Sequence, residues 1–134
     1  MKRLHILVVE DHEPSRYCLA KALQGSSYAV HSCGNGEEAL KRLADYRFDV
    51  LVTDIGLPSM NGFDVIRGAR LVQPAIRAVV VTAVVTREVK ERALAERVDG
   101  LFEKPIELDE LLALLDLLPD SAPGRGPSCV EARR

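Results

Sequence analysis

Five short apolar runs constrain the fold of this chain more than any other feature. They are Leu4-His5-Ile6-Leu7-Val8-Val9, Tyr28-Ala29-Val30-His31, Val50-Leu51-Val52, Ala78-Val79-Val80-Val81 and Leu101-Phe102. Most are rich in β-branched residues and continuous. A strand with one wet face alternates apolar and polar residues, whereas a strand covered on both faces does not. The segments between the runs have helical spacing. Residues 14–24 put Leu19, Ala22 and Leu23 on one face, with Pro14 suited to a first turn. Residues 36–45 group Leu40, Leu43 and Ala44 behind Asn35, a cap with Glu38 three positions on. Residues 62–71 stack Val65, Ile66 and Ala69 after Asn61, and residues 87–97 follow Thr86 as a cap. Residues 107–117 carry the clearest stripe: Leu108, Leu111, Leu112 and Leu115. Alternating strands and helices imply a parallel sheet with helices on both faces. The expected class is therefore α/β, flavodoxin-like and doubly wound, with strand order 2-1-3-4-5. That order is the common solution for five such units; periodicity does not dictate it.

Polar residues gather where the apolar runs end. Glu10-Asp11 follows the first run, Asp54 the third, Thr82-Ala83 the fourth and Glu103-Lys104-Pro105 the fifth. In open parallel sheets, function collects beyond the carboxyl ends of the strands. Each residue also has a bland reading. Asp54 suits a turn before the loop Ile55–Gly62, Thr82 is a good strand residue, and Lys104 is an ordinary surface ammonium. Their joint placement at one rim outweighs those readings. Clustered carboxylates repel, and a divalent cation relieves the repulsion. Hard oxygen ligands with room for water suit Mg²⁺. An ammonium and a hydroxyl beside such an ion fit the three oxygens of a phosphoryl group, with one carboxylate left as nucleophile.

These residues resemble the receiver domain of bacterial response regulators, from about residue 4 to 118. The motifs that carry the likeness are Val8-Val9-Glu10-Asp11, Asp54 with Leu57-Pro58-Ser59-Met60-Asn61-Gly62, Val81-Thr82-Ala83 and Lys104-Pro105. The resemblance implies that Asp54 is the phosphoacceptor. Asp11, Asp54 and the carbonyl of Gly56 would bind Mg²⁺ (or Mn²⁺), with Glu10 reaching it through water. Lys104 would pair with the phosphoryl group and Thr82 would report its arrival. The partner implied is a histidine kinase or histidine phosphotransfer protein, docking near the first helix and the loop after the fifth strand. The protein would be a signalling phosphoacceptor that assists its own phosphorylation and dephosphorylation, and not an enzyme. One position departs from the family. An aromatic often stands three residues before the lysine and swings inward with the threonine; here that residue is Leu101. A period of two points the neighbouring Phe102 to the other face. The alternative function is a protein-interaction module on the same fold that signals without phosphorylation. A flavin carrier is disfavoured by the acidic Glu10-Asp11-His12-Glu13, and no nucleotide-binding P-loop is present.

Composition narrows the classes further. The chain has 134 residues, suited to one domain over 1–118, and a net charge of −2 without a basic stripe, so no direct nucleic-acid contact is expected. Its apolar runs are too short to cross a bilayer, and the N-terminus does not read as a signal peptide. Cys18, Cys33 and Cys129 lack disulfide or metal spacing and read as reduced cytoplasmic thiols; Cys18 and Cys33 suit core filling. Pro119–Arg134 is rich in Pro, Gly, Ser and Arg and reads as a flexible tail or linker stub. A stand-alone receiver, a piece of a longer regulator and the receiver end of a hybrid kinase all fit, and the starting Met and short tail favour the first, or a C-terminal or excised piece. A face with Arg87, Lys90, Glu91, Asp109 and Glu110 suits either a homodimer contact or a solvated surface.

Overall fold

The computed structural model describes residues 4–26 and 28–118. The tail expected over Pro119–Arg134, with Cys129, lies outside the described residues. Five strands and five helices alternate: β1 (His5–Val9), α1 (Glu13–Gly25), β2 (Ala29–Cys33), α2 (Gly36–Asp45), β3 (Val50–Asp54), α3 (Gly62–Val72), β4 (Arg77–Thr82), α4 (Arg87–Ala95), β5 (Gly100–Glu103) and α5 (Leu108–Leu117). All pairings are parallel and the order is β2-β1-β3-β4-β5, as expected from the sequence.

The continuity of the apolar runs has a direct cause. Successive strand residues face opposite sides of the sheet, and both sides are covered. Leu7, Val9, Leu51, Ala78 and Val80 pack with Ala39 and Leu43 of α2, Val65, Ile66 and Ala69 of α3, and Ala93 of α4. Ile6, Val8, Val50, Val52, Val79 and Val81 pack with Leu23 of α1 and Leu111 and Leu115 of α5. Leu101 joins the first layer and Phe102 the second, as the strand period requires. Among the described residues, no helix is long and apolar enough to cross a membrane.

The expected caps form. Asn35 Oδ1 accepts from the Glu38 amide at 2.8 Å, and Thr86 Oγ1 from the Val89 amide at 3.1 Å. Asn61 and Asp64 exchange side-chain and backbone hydrogen bonds in a capping box. Two expectations are corrected. Ala44 is exposed and Ala39 takes its place in the core, because positions 36, 39 and 43 share the inward stripe of α2. Cys18 is exposed, lying well round α1 from buried Leu23, while Cys33 is buried core filler. Burial pushes the Cys33 thiol up to about 11, leaving it unreactive at neutral pH. On the charged face, Arg87 and Glu91 pair with each other at 3.4 Å, in full view of solvent.

Gln73, just past α3, holds the far end of the sheet together. Its Oε1 accepts from the Phe48 amide at 2.9 Å, and its Nε2 donates to the carbonyls of Leu43 at 2.7 Å and Tyr46 at 2.6 Å. One side chain thus satisfies the link between α2 and β3. Gln73→Ala is expected to lose about 2–3 kcal/mol, near 1 kcal/mol per hydrogen bond. Urea unfolding checks this: a lower midpoint at unchanged slope is expected.

Candidate functional site

Register brings the polar strand ends together. Val9 pairs with Thr53, Asp54 with Val81, and Thr82 with Glu103. Glu10 therefore leaves β1 beside the end of β3, and Lys104 leaves β5 beside the end of β4. Glu10 is 5% exposed and Asp54 9%, while Asp11 is exposed at the mouth. Carboxylate oxygens of Glu10, Asp11 and Asp54 all lie within 4.8 Å of one another.

Each buried carboxylate is held in place. Lys104 Nζ donates to Glu10 Oε1 at 2.6 Å and to Asp54 Oδ2 at 2.9 Å. Glu10 Oε2 accepts from the His12 amide at 3.0 Å, and Asp54 Oδ1 from the Gly56 amide at 3.2 Å. Burial alone would lower the Lys104 pKa; the hydrogen bonds and charges of Glu10 and Asp54 outweigh it and raise the pKa. Lys104 therefore remains an ammonium throughout the neutral range. Three carboxylates face one ammonium, so the site carries excess negative charge. Hard oxygen donors at this spacing, one of them open to solvent, fit a divalent cation of the Mg²⁺ or Mn²⁺ class.

The loop after Asp54 folds back on the strand that delivers it. The Leu57 and Gly62 amides donate to the Ile55 carbonyl at 3.0 and 2.9 Å, and Ser59 adopts a left-handed φ of 72°. Gly62 must be glycine, since a Cβ there would lie 2.1 Å from the Asp54 carbonyl oxygen. Gly56 has no such restriction: a Cβ would meet nothing within 4 Å.

Thr82 is buried at the end of β4. Its hydroxyl donates to the Val84 carbonyl at 3.3 Å and lies 3.4 Å from the Val84 amide, so it is engaged with its own loop. The Lys104 amide donates to the Thr82 carbonyl at 2.8 Å and locks the two strand ends together. Glu10, Asp54 and Lys104 thus touch, Asp11 and Gly56 stand beside them, and the Thr82 hydroxyl is turned to Val84. Two supporting residues were not legible in the sequence. His12 caps α1, its Nδ1 lying 2.6 Å from Ser15 Oγ, and Arg16 Nη1 donates to the Glu10 carbonyl at 2.8 Å. His-x-x-Ser is the weak local signal for the first; nothing local marks the second.

A family model described as the response regulator receiver domain matches residues 6–116. The chain belongs to this family. It is a signalling domain of two-component systems, a class phosphorylated on an aspartate, and not a conventional enzyme. The chain is 34% identical over 129 residues to the two-component response regulator PhoP of Pseudomonas aeruginosa, covering 96% of this chain and 57% of that protein. The chain thus spans little more than half the length of that relative. A response regulator from Burkholderia pseudomallei, solved with a phosphorylated aspartic acid, calcium ion and citrate, superposes with a TM-score of 0.78 at 28% identity, over 84% of this chain and 66% of that one. TrrA of Thermotoga maritima, solved with Mg²⁺ and beryllofluoride, gives 0.76 at 28% identity, over 84% and 96%.

The receiver loop supplies a contrast that isolates close packing. Gly62→Ala is expected to cost about 1–3 kcal/mol, because the clash is with backbone that must move. Gly56→Ala should stay within about 0.5 kcal/mol of the parent. Thermal unfolding of the two variants side by side checks both.

Proposed function

We propose that Asp54 of this receiver accepts a phosphoryl group from a phosphohistidine on a histidine kinase or histidine phosphotransfer protein. The observation that carries the reading is the nearly buried Asp54 carboxylate, 2.9 Å from Lys104 and within 4.8 Å of two further acids. One Asp54 oxygen attacks phosphorus as the P–N bond to the donor imidazole breaks, and the imidazole keeps the bonding pair. Lys104 exchanges its contact with the carboxylate for one with a phosphoryl oxygen. The Thr82 hydroxyl leaves Val84 for another phosphoryl oxygen and so couples the site to the loop before α4.

Asp11, Asp54 and the Gly56 carbonyl, with Glu10 behind them, would hold Mg²⁺ or Mn²⁺, which would neutralise charge on the phosphoryl oxygens. The calcium and Mg²⁺ present in the two related structures support this assignment. Free Cys18 and Cys33 suit a cytoplasmic setting.

Intact-mass spectrometry after incubation with acetyl phosphate tests the reading. A single phosphoryl adduct is expected with Mg²⁺, and none after chelation or in Asp54→Asn. An unmodified wild-type protein, with both acetyl phosphate and a cognate phosphorylated kinase as donors, would refute it. Lys104→Met should slow adduct formation by about 10²-fold, the usual loss for one preorganised charge-stabilising group.

A further inference from the structure

The peptide joining Glu10 to Asp11 lies where the sheet stops. β1 ends at Val9, and the Glu10 amide still donates to the Cys33 carbonyl at 3.1 Å. The Glu10 carbonyl lies past that last rung. It accepts from Arg16 Nη1 at 2.8 Å, a charge-assisted bond that reaches across from the first turn of α1. A peptide is planar, so a donor that holds its carbonyl oxygen also fixes the nitrogen and Cα of the next residue. That residue is Asp11, exposed at the mouth, with a carboxylate oxygen within 4.8 Å of those of Glu10 and Asp54.

Gly34 gives the guanidinium its place. A Cβ there would stand 2.8 Å from Arg16 Nη1, closer than two such atoms can approach, and 3.7 Å from Cζ. Gly34 lies outside the left-handed region, so its backbone accepts a side chain, and what matters is the space it leaves. Arg16 is accordingly half-buried, unlike its exposed neighbours Tyr17 and Cys18. Its charge has the wrong sign for a cation site. Beside three carboxylates, a guanidinium weakens the pull on any further cation. Its bond to the Glu10 carbonyl acts in the opposite direction, by holding a cation ligand in place before the ion arrives.

We propose that Arg16, seated against Gly34, is a positioning residue for the divalent cation. It fixes the Glu10–Asp11 peptide, and through it the Asp11 carboxylate. The proposal rests on the cation reading given above. Partners that orient a metal ligand without touching the metal carry about 10- to 100-fold of its affinity. Here positioning outweighs the unfavourable charge, and Gly34 acts only through Arg16.

Mn²⁺ binding to the full chain, read as loss of the free-ion electron paramagnetic resonance signal, tests this without phosphorylation. Arg16→Met keeps the stem and the helix propensity while removing donor and charge. Its Kd for Mn²⁺ is expected to rise about tenfold, although loss of the positive charge alone would lower it. Gly34→Ala keeps the charge and displaces only the flexible end of Arg16. It should weaken Mn²⁺ in the same direction, with a thermal midpoint within about 3 °C of the parent, and so guards against a folding defect. The double variant should bind no more weakly than Arg16→Met alone, because the two changes act on one contact. An unchanged or lower Kd in Arg16→Met, or losses that add in the double variant, would overturn the positioning role while the cation reading stands. If the parent takes up no Mn²⁺, or if Asp11→Asn binds it as the parent does, the cation reading fails and the proposal falls with it.

Discussion

One ammonium shared between two nearly buried carboxylates organises this molecule. Lys104 reaches both Glu10 and Asp54, and so ties the ends of β1, β3 and β5 at a single point. Unshared, either carboxylate would face a large desolvation penalty at that depth. Shared, the pair still leaves Asp11 in excess, so the site is held together and remains attractive to a further cation. The same arrangement fixes the Asp54 carboxylate at the end of a strand that is otherwise dry.

The surrounding architecture serves that point. The α2–β3 link is closed by Gln73 at the end of the sheet opposite Asp54. Past Asp54, the chain returns within contact distance of its own strand, and only Gly62 fits the approach. His12 and Arg16 brace Glu10 from the start of α1. On the next strand, Thr82 faces Val84, one step from the acidic cluster, so the loop before α4 is bonded to a residue at the edge of the site.

The rim of polar residues was legible because each member directly follows an apolar run, and a parallel sheet sends all such ends to one edge. The caps Asn35, Asn61 and Thr86 were legible because capping is a local interaction, decided within three or four residues. Gln73 was not, since its partners lie 25 to 30 residues away. Arg16 and the Arg67–Glu96 pair, 2.9 Å apart, were hidden for the same reason: a lone charge reads as a solvated side chain until its neighbours are placed. The errors at Ala44 and Cys18 arose where short apolar residues sit at the border of a helical stripe. There a rotation of a few tens of degrees decides between core and solvent.

By itself, the sequence determined the alternation of elements, the burial of both sheet faces and the list of residues at the working edge. These follow from periodicity and from the ends of runs, which are properties of short segments. Tertiary structure alone decided which of those residues touch. It put Lys104 on both Glu10 and Asp54, turned the Thr82 hydroxyl toward Val84, and clamped one end of α4 to α3. Contacts of this kind join residues separated by tens of positions. They depend on strand register and helix rotation, which are fixed only when both layers of the core pack at once.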